Sequence, residues 1–210
     1  SGTPMVASDE EQIERIRDWW SENGRTVIAG VVLGVAGLVG WQGWQVWQDN
    51  RVASAAAAFA HLEQMAASGE GDVVERAQAV ASAHDGTSYT GLAWLIGAGA
   101  AVENNDLDTA VAYLEQARAS ADREQLVATV DLRLARVLWA QGKHQAALDR
   151  LAEPPAGFAG LFAELRGDVL ADQGKLVAAR EAYEDAAAAS AGDGLLQMKL
   201  DSLPAAGEES

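Results

Sequence analysis

The rhythm of hydrophobic and polar positions changes twice along the chain. In the first stretch Ile13, Ile16, Trp19 and Trp20 share one edge, opposite Glu14, Arg15, Arg17 and Asp18. This spacing predicts a short amphipathic helix lying at a membrane interface, or else a frayed tail. Ser8 is its N-cap with Glu11 three residues on, and Asn23-Gly24 is expected to stop it. From residue 26 to residue 48 charge disappears altogether. Beyond residue 49 helical segments alternate with short polar breaks, the rhythm of stacked helices.

The uncharged run has three readings. As a helix it spans roughly 35 Å at 1.5 Å per residue, enough to cross a hydrocarbon core of about 30 Å. A soluble core helix of that length needs a polar stripe, and residues 27–41 have none. A cleaved signal would use the small-x-small site Ala53-Ser54-Ala55, but Trp44, Trp47, Asp49 and Arg51 stand between it and Trp41. An uncleaved anchor fits best, with Trp41, Trp44 and Trp47 as an interface belt. Gly30, Gly34 and Gly37 lie within about 60° on such a helix. They form either a packing face for another membrane helix or the ordinary glycine content of membrane spans. Arg15, Arg17 and Arg25 precede the span and only Arg51 follows closely, so the N-terminus is expected to be cytoplasmic.

Past the span, three segments superimpose: "NNDLDTAVAYLEQA", "AQGKHQAALDRLAE" and "DQGKLVAAREAYEDA". Their alanines, Ala110, Ala147 and Ala179, recur at intervals of 37 and 32, and a weaker copy puts Ala77 33 residues earlier. The period is near the 34-residue tetratricopeptide repeat. In this reading alanine lets the second helix of each repeat approach the first. Leu114, Leu151 and Tyr183 fill the gap, opposite small residues Ala98, Ala135 and Gly167. Trp94 occupies the first repeat's tryptophan position. Gly142 and Gly174 serve the tight turn, with Asn105 in the first repeat, and Pro154 should end the second repeat's second helix early. Residues 52–67 and 73–83 are expected as an N-terminal pair and residues 195–203 as a C-terminal cap. The fold class is therefore all-α: a single transmembrane helix followed by a tetratricopeptide-like solenoid. The domains are a cytoplasmic leader with a short amphipathic helix (1–25), the membrane helix (26–48), the repeat domain (49–203) and a disordered acidic tail (204–210). Residues 1–4, ahead of Met5, read as a vector remnant.

Composition narrows the chemistry. Thirty-one acidic residues against 15 basic ones give a net charge of −16, which excludes nucleic acid as a partner because phosphate binding needs a basic face. The same charge reads as a solvated acidic surface. With no cysteine there is neither a disulfide nor a thiolate site. His61, His84 and His144 lack metal-ligand spacing, and "GAGAAV" at 97–102 lacks the third glycine and preceding strand of a nucleotide loop. No catalytic residue, metal ligand or cofactor site is expected, and no enzyme. A repeat solenoid offers a groove lined by the first helix of each repeat. Helical phase directs Leu92, Leu95, Val102, Leu132, Arg136, Trp139, Leu161, Glu164 and Asp168 towards it. Trp139 is either an anchor for a bound chain or a residue buried against the next repeat.

The segment "EEQIERIRDWWSENGRTVIAGVVLGVAGLVGWQGW" resembles the start of the ancillary SecYEG translocon subunit family, the YfgM-like proteins. Trp19-Trp20, Glu22-Asn23-Gly24, Arg25, Gly30, Gly34 and Gly40-Trp41 carry the likeness. "DLRLARV", "LRGDVL" and "MKLDSL" extend it to Leu203. The resemblance implies a single-pass bacterial inner-membrane protein, held in membrane lipid, with its repeat domain in the periplasm. Its implied partners are the Sec translocon, the membrane-anchored periplasmic chaperone PpiD and unfolded secretory clients. It implies no catalytic residues. The pronounced alanine and acidic bias is where this chain departs from the family. The alternative is a general envelope scaffold that never touches translocating chains.

Overall fold

The computed structural model describes residues 9–189 and 194–203. Among them every regular element is a helix. The chain divides between residues 52 and 53 into two compact units. The capping box at Ser8 and the acidic tail at 204–210 lie outside the described residues.

The first unit holds most of α1 (Asp9–Ser68), which is helical without interruption. Asn23-Gly24 does not stop it, correcting the expectation from sequence. Asn23 turns its amide back to the Trp19 carbonyl at 3.1 Å instead of taking a left-handed conformation. The Trp20 indole lies over Gly24, where a Cβ would sit 3.3 Å from its ring nitrogen. One glycine inside a helix costs only about 1 kcal/mol relative to alanine, too little to break so long a run. The helix also continues through Asp49-Asn50-Arg51, so the expected helix at 52–67 is the end of α1. Ile28, Val31, Leu33, Val35, Leu38 and Val39 are exposed on all sides of it. Among the described residues α1 is the one helix long and apolar enough to cross a membrane. Trp41 and Trp44 meet at 5.5 Å between ring centres, and the Arg51 guanidinium lies 5.5 Å from the Trp47 ring.

The second unit stacks helical pairs. The end of α1 packs with α2 (Val73–Ala83) through Leu62, Ala77 and Val80. Then come α3 (Ser88–Glu103) with α4 (Leu107–Ala119), α5 (Glu124–Ala140) with α6 (His144–Arg150), and α7 (Ala159–Asp172) with α8 (Leu176–Ala189). A last helix, α9 (Gly194–Asp201), covers the α7–α8 pair with Leu196 and Leu200. Ala110, Ala147 and Ala179 are fully buried, as are the gap-filling Leu114 and Leu151, with Tyr183 nearly so. Burying each such large side chain stabilises the fold by about 1.5–3 kcal/mol. α6 ends at Arg150, four residues before Pro154, and is half the length of α4 and α8.

One turn joins the two helices of all three repeats. Asn105, Gly142 and Gly174 each take a left-handed backbone, with φ of 58°, 73° and 72°. The next residue's N–H then reaches back to the preceding helix: Asp106 to Ala101, Lys143 to Leu138 and Lys175 to Leu170, at 2.8–3.0 Å. These bonds satisfy carbonyls that a helix end leaves open. Asp106 then caps α4 through the Thr109 N–H and hydroxyl, and these hydrogen bonds lower its pKa.

Candidate binding cleft

Stacking sets the first helices of successive pairs side by side, so α3 lies between the end of α1 and α5. Along α3, Leu95, Ala98, Gly99 and Val102 follow the i, i+3, i+4, i+7 pattern of one helix face. They make the floor of a cleft of about 320 Å³ whose far side is Arg133, Arg136 and Val137 of α5. A second recess of about 690 Å³ adjoins it and shares Leu95, Gly99, Glu103 and Arg133. It extends along α3 to the α1–α2 link at Gly69, Gly71 and Asp72. The floor is open at Gly99, where a Cβ would meet nothing within 4 Å.

Of the groove residues expected from phase, Leu95, Val102 and Arg136 come together in this cleft. Leu95 is 7 % exposed and shared with the core, whereas Val102 is 43 % exposed. Leu92 lies apart, in a recess of about 430 Å³ with Tyr89, Arg123 and Leu126. Leu132 is in the hydrophobic core, because α5 is covered on two faces by its neighbours. Leu161 is exposed on α7. Arg133 and Gly99 were missed by sequence reasoning, although Arg133 stands one turn before Arg136 and Gly99 one turn after Leu95.

Trp139 is half-buried and tied to the next repeat. Its indole N–H donates to Asp172 Oδ2 at 2.8 Å, and His144 Nε2 lies 2.8 Å from the same oxygen. Hydrogen bonds from Trp139 and His144 hold the Asp172 carboxyl below the usual carboxylate range. The reading of Trp139 as a residue packed against the adjacent repeat is the one this geometry matches.

Glu164 and Asp168 face α9 rather than an open groove. Lys199 Nζ donates to Glu164 Oε1 and Asp168 Oδ1, both at 2.7 Å, and Tyr183 donates its hydroxyl to the same Asp168 oxygen at 2.8 Å. Burial alone would lower the Lys199 pKa, but hydrogen bonds and charge from Asp168 and Glu164 together raise it. Tyr183 is raised by burial and by its bond to Asp168. Arg180 completes the cap by donating to the Leu200 and Leu203 carbonyls.

In the first unit Gly30, Gly34 and Gly37 have nothing within 4 Å of their would-be Cβ atoms. Elsewhere the His84 carbonyl accepts the Thr87 and Thr90 hydroxyls, both at 2.8 Å, so this residue holds the α2–α3 turn. Among the described residues no three His, Asp or Glu side chains gather as a metal site.

Comparison with known proteins adds three findings. A tetratricopeptide repeat-like domain family matches residues 17–205. The chain is 33 % identical over 203 residues to the ancillary SecYEG translocon subunit of Escherichia coli (strain K12), an alignment covering 95 % of this chain and 98 % of that protein. It is 32 % identical over 198 residues to the ancillary SecYEG translocon subunit of Haemophilus influenzae, covering 93 % and 97 %.

Proposed function

Because the chain belongs to the ancillary SecYEG translocon subunit family, with its tetratricopeptide repeat-like domain, we propose that it is a membrane-anchored adaptor of the Sec protein-export translocon. The observation that carries this reading is near-complete alignment with relatives that bear that name, the apolar helix included. α1 is the single-pass anchor, spanning the bacterial inner membrane at residues 26–48 with Trp41, Trp44 and Trp47 at the outer interface. The excess of arginines before the span puts the N-terminus in the cytoplasm and the repeat domain in the periplasm. Anchoring keeps the repeat surface at high local concentration beside the channel exit, so weak contacts with emerging chains suffice. PpiD is the companion chaperone in this arrangement, and the protein's part is binding rather than catalysis.

Affinity purification of the full chain from membranes in mild detergent tests the association. The translocon is expected in the eluate, with PpiD beside it, and its absence with anchor and repeats intact would overturn the reading. Because the chain has no cysteine, single exposed cysteines report orientation cleanly. Ala187→Cys should react with a membrane-impermeant maleimide added outside the inner membrane, and Ser21→Cys should react only after lysis. A crosslinker at Val102 separates adaptor from general scaffold: labelled nascent secretory chains support the first, and one folded partner alone supports the second.

A further inference from the structure

Three arginines of the repeat unit pair with a carboxylate across a helix boundary. Arg118 meets Asp131 at 2.6 Å, Arg150 meets Glu115, and Arg166 meets Asp185 at 2.8 Å. Arg133 and Arg136 have no such carboxylate. They stand one turn apart on α5, both exposed and both on the α3–α5 cleft, with no ion pair to any described residue. The chain carries 31 acidic residues, yet among the described residues only Glu103 lines this cleft, and it lies outside ion-pair distance of either arginine. Two positive groups therefore flank an apolar floor left open at Gly99.

We propose that the α3–α5 cleft binds an extended peptide segment in which an acidic side chain lies beside an apolar one. The apolar side chain enters over Gly99 between Leu95 and Val102, where burial is favourable in proportion to the area covered. The carboxylate meets Arg133 and Arg136, whose planar guanidinium groups suit it in bidentate geometry. A helix-lined cleft presents no free sheet edge, so side chains rather than backbone pairing select the ligand. The stretch of α3 from Leu95 to Asn104 is about 15 Å long, room for four or five residues of extended chain at about 3.3 Å each. This inference rests on the adaptor reading only in supposing that emerging chains are the source of such segments.

Fluorescence anisotropy with the full chain in nanodiscs tests it, using labelled Gly/Ser-spaced dodecapeptides centred on Leu-Asp-Leu, Leu-Lys-Leu and Ser-Asp-Ser. The Leu-Asp-Leu peptide should bind about ten-fold or more tightly than either of the others. Arg133→Glu with Arg136→Glu should abolish that preference and favour the lysine peptide. Gly99→Leu builds into the open floor, where its Cβ meets nothing within 4 Å, and should remove binding of all three. Equal affinity for the three peptides, or a preference that survives the charge reversal, would overturn the proposal. Co-purification of the translocon with the unaltered chain is read separately. Its absence sinks the adaptor reading, whereas peptide selectivity alone decides the cleft.

Discussion

Gly97 of α3 and Tyr113 of α4 meet with no room for a side chain between them. A Cβ at Gly97 would lie 2.8 Å from Tyr113 Cδ2 and 2.7 Å from the Ala77 methyl of α2. The same tyrosine packs edge-on against Trp94, 4.7 Å between ring centres, and its hydroxyl donates to Gln78 at 3.1 Å. One glycine thus sets the distance between two successive second helices of the stack. Gly97→Ala should destabilise the repeat unit by about 1–3 kcal/mol, although alanine favours the helix, because neither neighbour can give way. Gly99→Ala, two residues on in the same helix and facing open space, should stabilise it by about 0.5–1 kcal/mol. Urea denaturation of the full chain in nanodiscs, followed by circular dichroism, gives both values.

The repeated left-handed turn makes a second comparison. Gly142→Ala and Gly174→Ala each force a Cβ into a backbone that L-residues avoid, at about 1–2 kcal/mol per site. Asn105 already bears that strain at φ 58°, so Asn105→Gly should gain about 1 kcal/mol or less. The opposite sign at equivalent positions, measured by the same denaturation curves, is the expected result.

Much of this architecture could be read from the residues. Ala110, Ala147 and Ala179 announce the register because a close helix crossing accepts little else. Asn105, Gly142 and Gly174 announce the turn, and Pro154 shortens α6. What periodicity could not show was which face a neighbouring repeat would cover. Leu132 has the phase of a groove residue, but α5 is packed on two sides. Trp139 finds Asp172 33 residues away, and Lys199 finds Glu164 from 35 away, partners that no local pattern reveals. Asn23-Gly24 misled for the reverse reason. Its local preference for a stop is small beside the helical run on either side.

Lys199 should hold α9 in place. Lys199→Met leaves Glu164 and Asp168 facing each other without a cation, at a cost of about 1.5–3 kcal/mol, the range for hydrogen bonds to charged groups. Limited proteolysis should then cut near α9 several-fold faster, while the earlier repeats resist as before. The pH dependence follows from the raised Lys199 pKa. A raised value means that the stabilisation is complete below the ordinary lysine pKa and is lost as pH climbs through the folded-state value. The difference between the unaltered chain and Lys199→Met should therefore stay constant across neutral pH and close only in alkali.

Asp172 carries the opposite dependence. Trp139 and His144 both bond its carboxylate, and the lowered pKa means that the folded repeats favour the charged form. The resulting stabilisation is present above the unfolded-state pKa and is lost as pH falls through the lower folded-state value. Asp172→Ala removes the shared acceptor and should lower the thermal midpoint by a few degrees or less at neutral pH, since the site is open to solvent. The gap between variant and unaltered chain should narrow on acidification below the usual carboxylate range. Trp139→Phe keeps the ring but removes the indole donor, so it should reproduce part of the neutral-pH loss and a weaker acid dependence. If Trp139→Phe instead matches the unaltered chain at every pH, the indole bond contributes nothing and His144 alone accounts for the lowered Asp172 pKa.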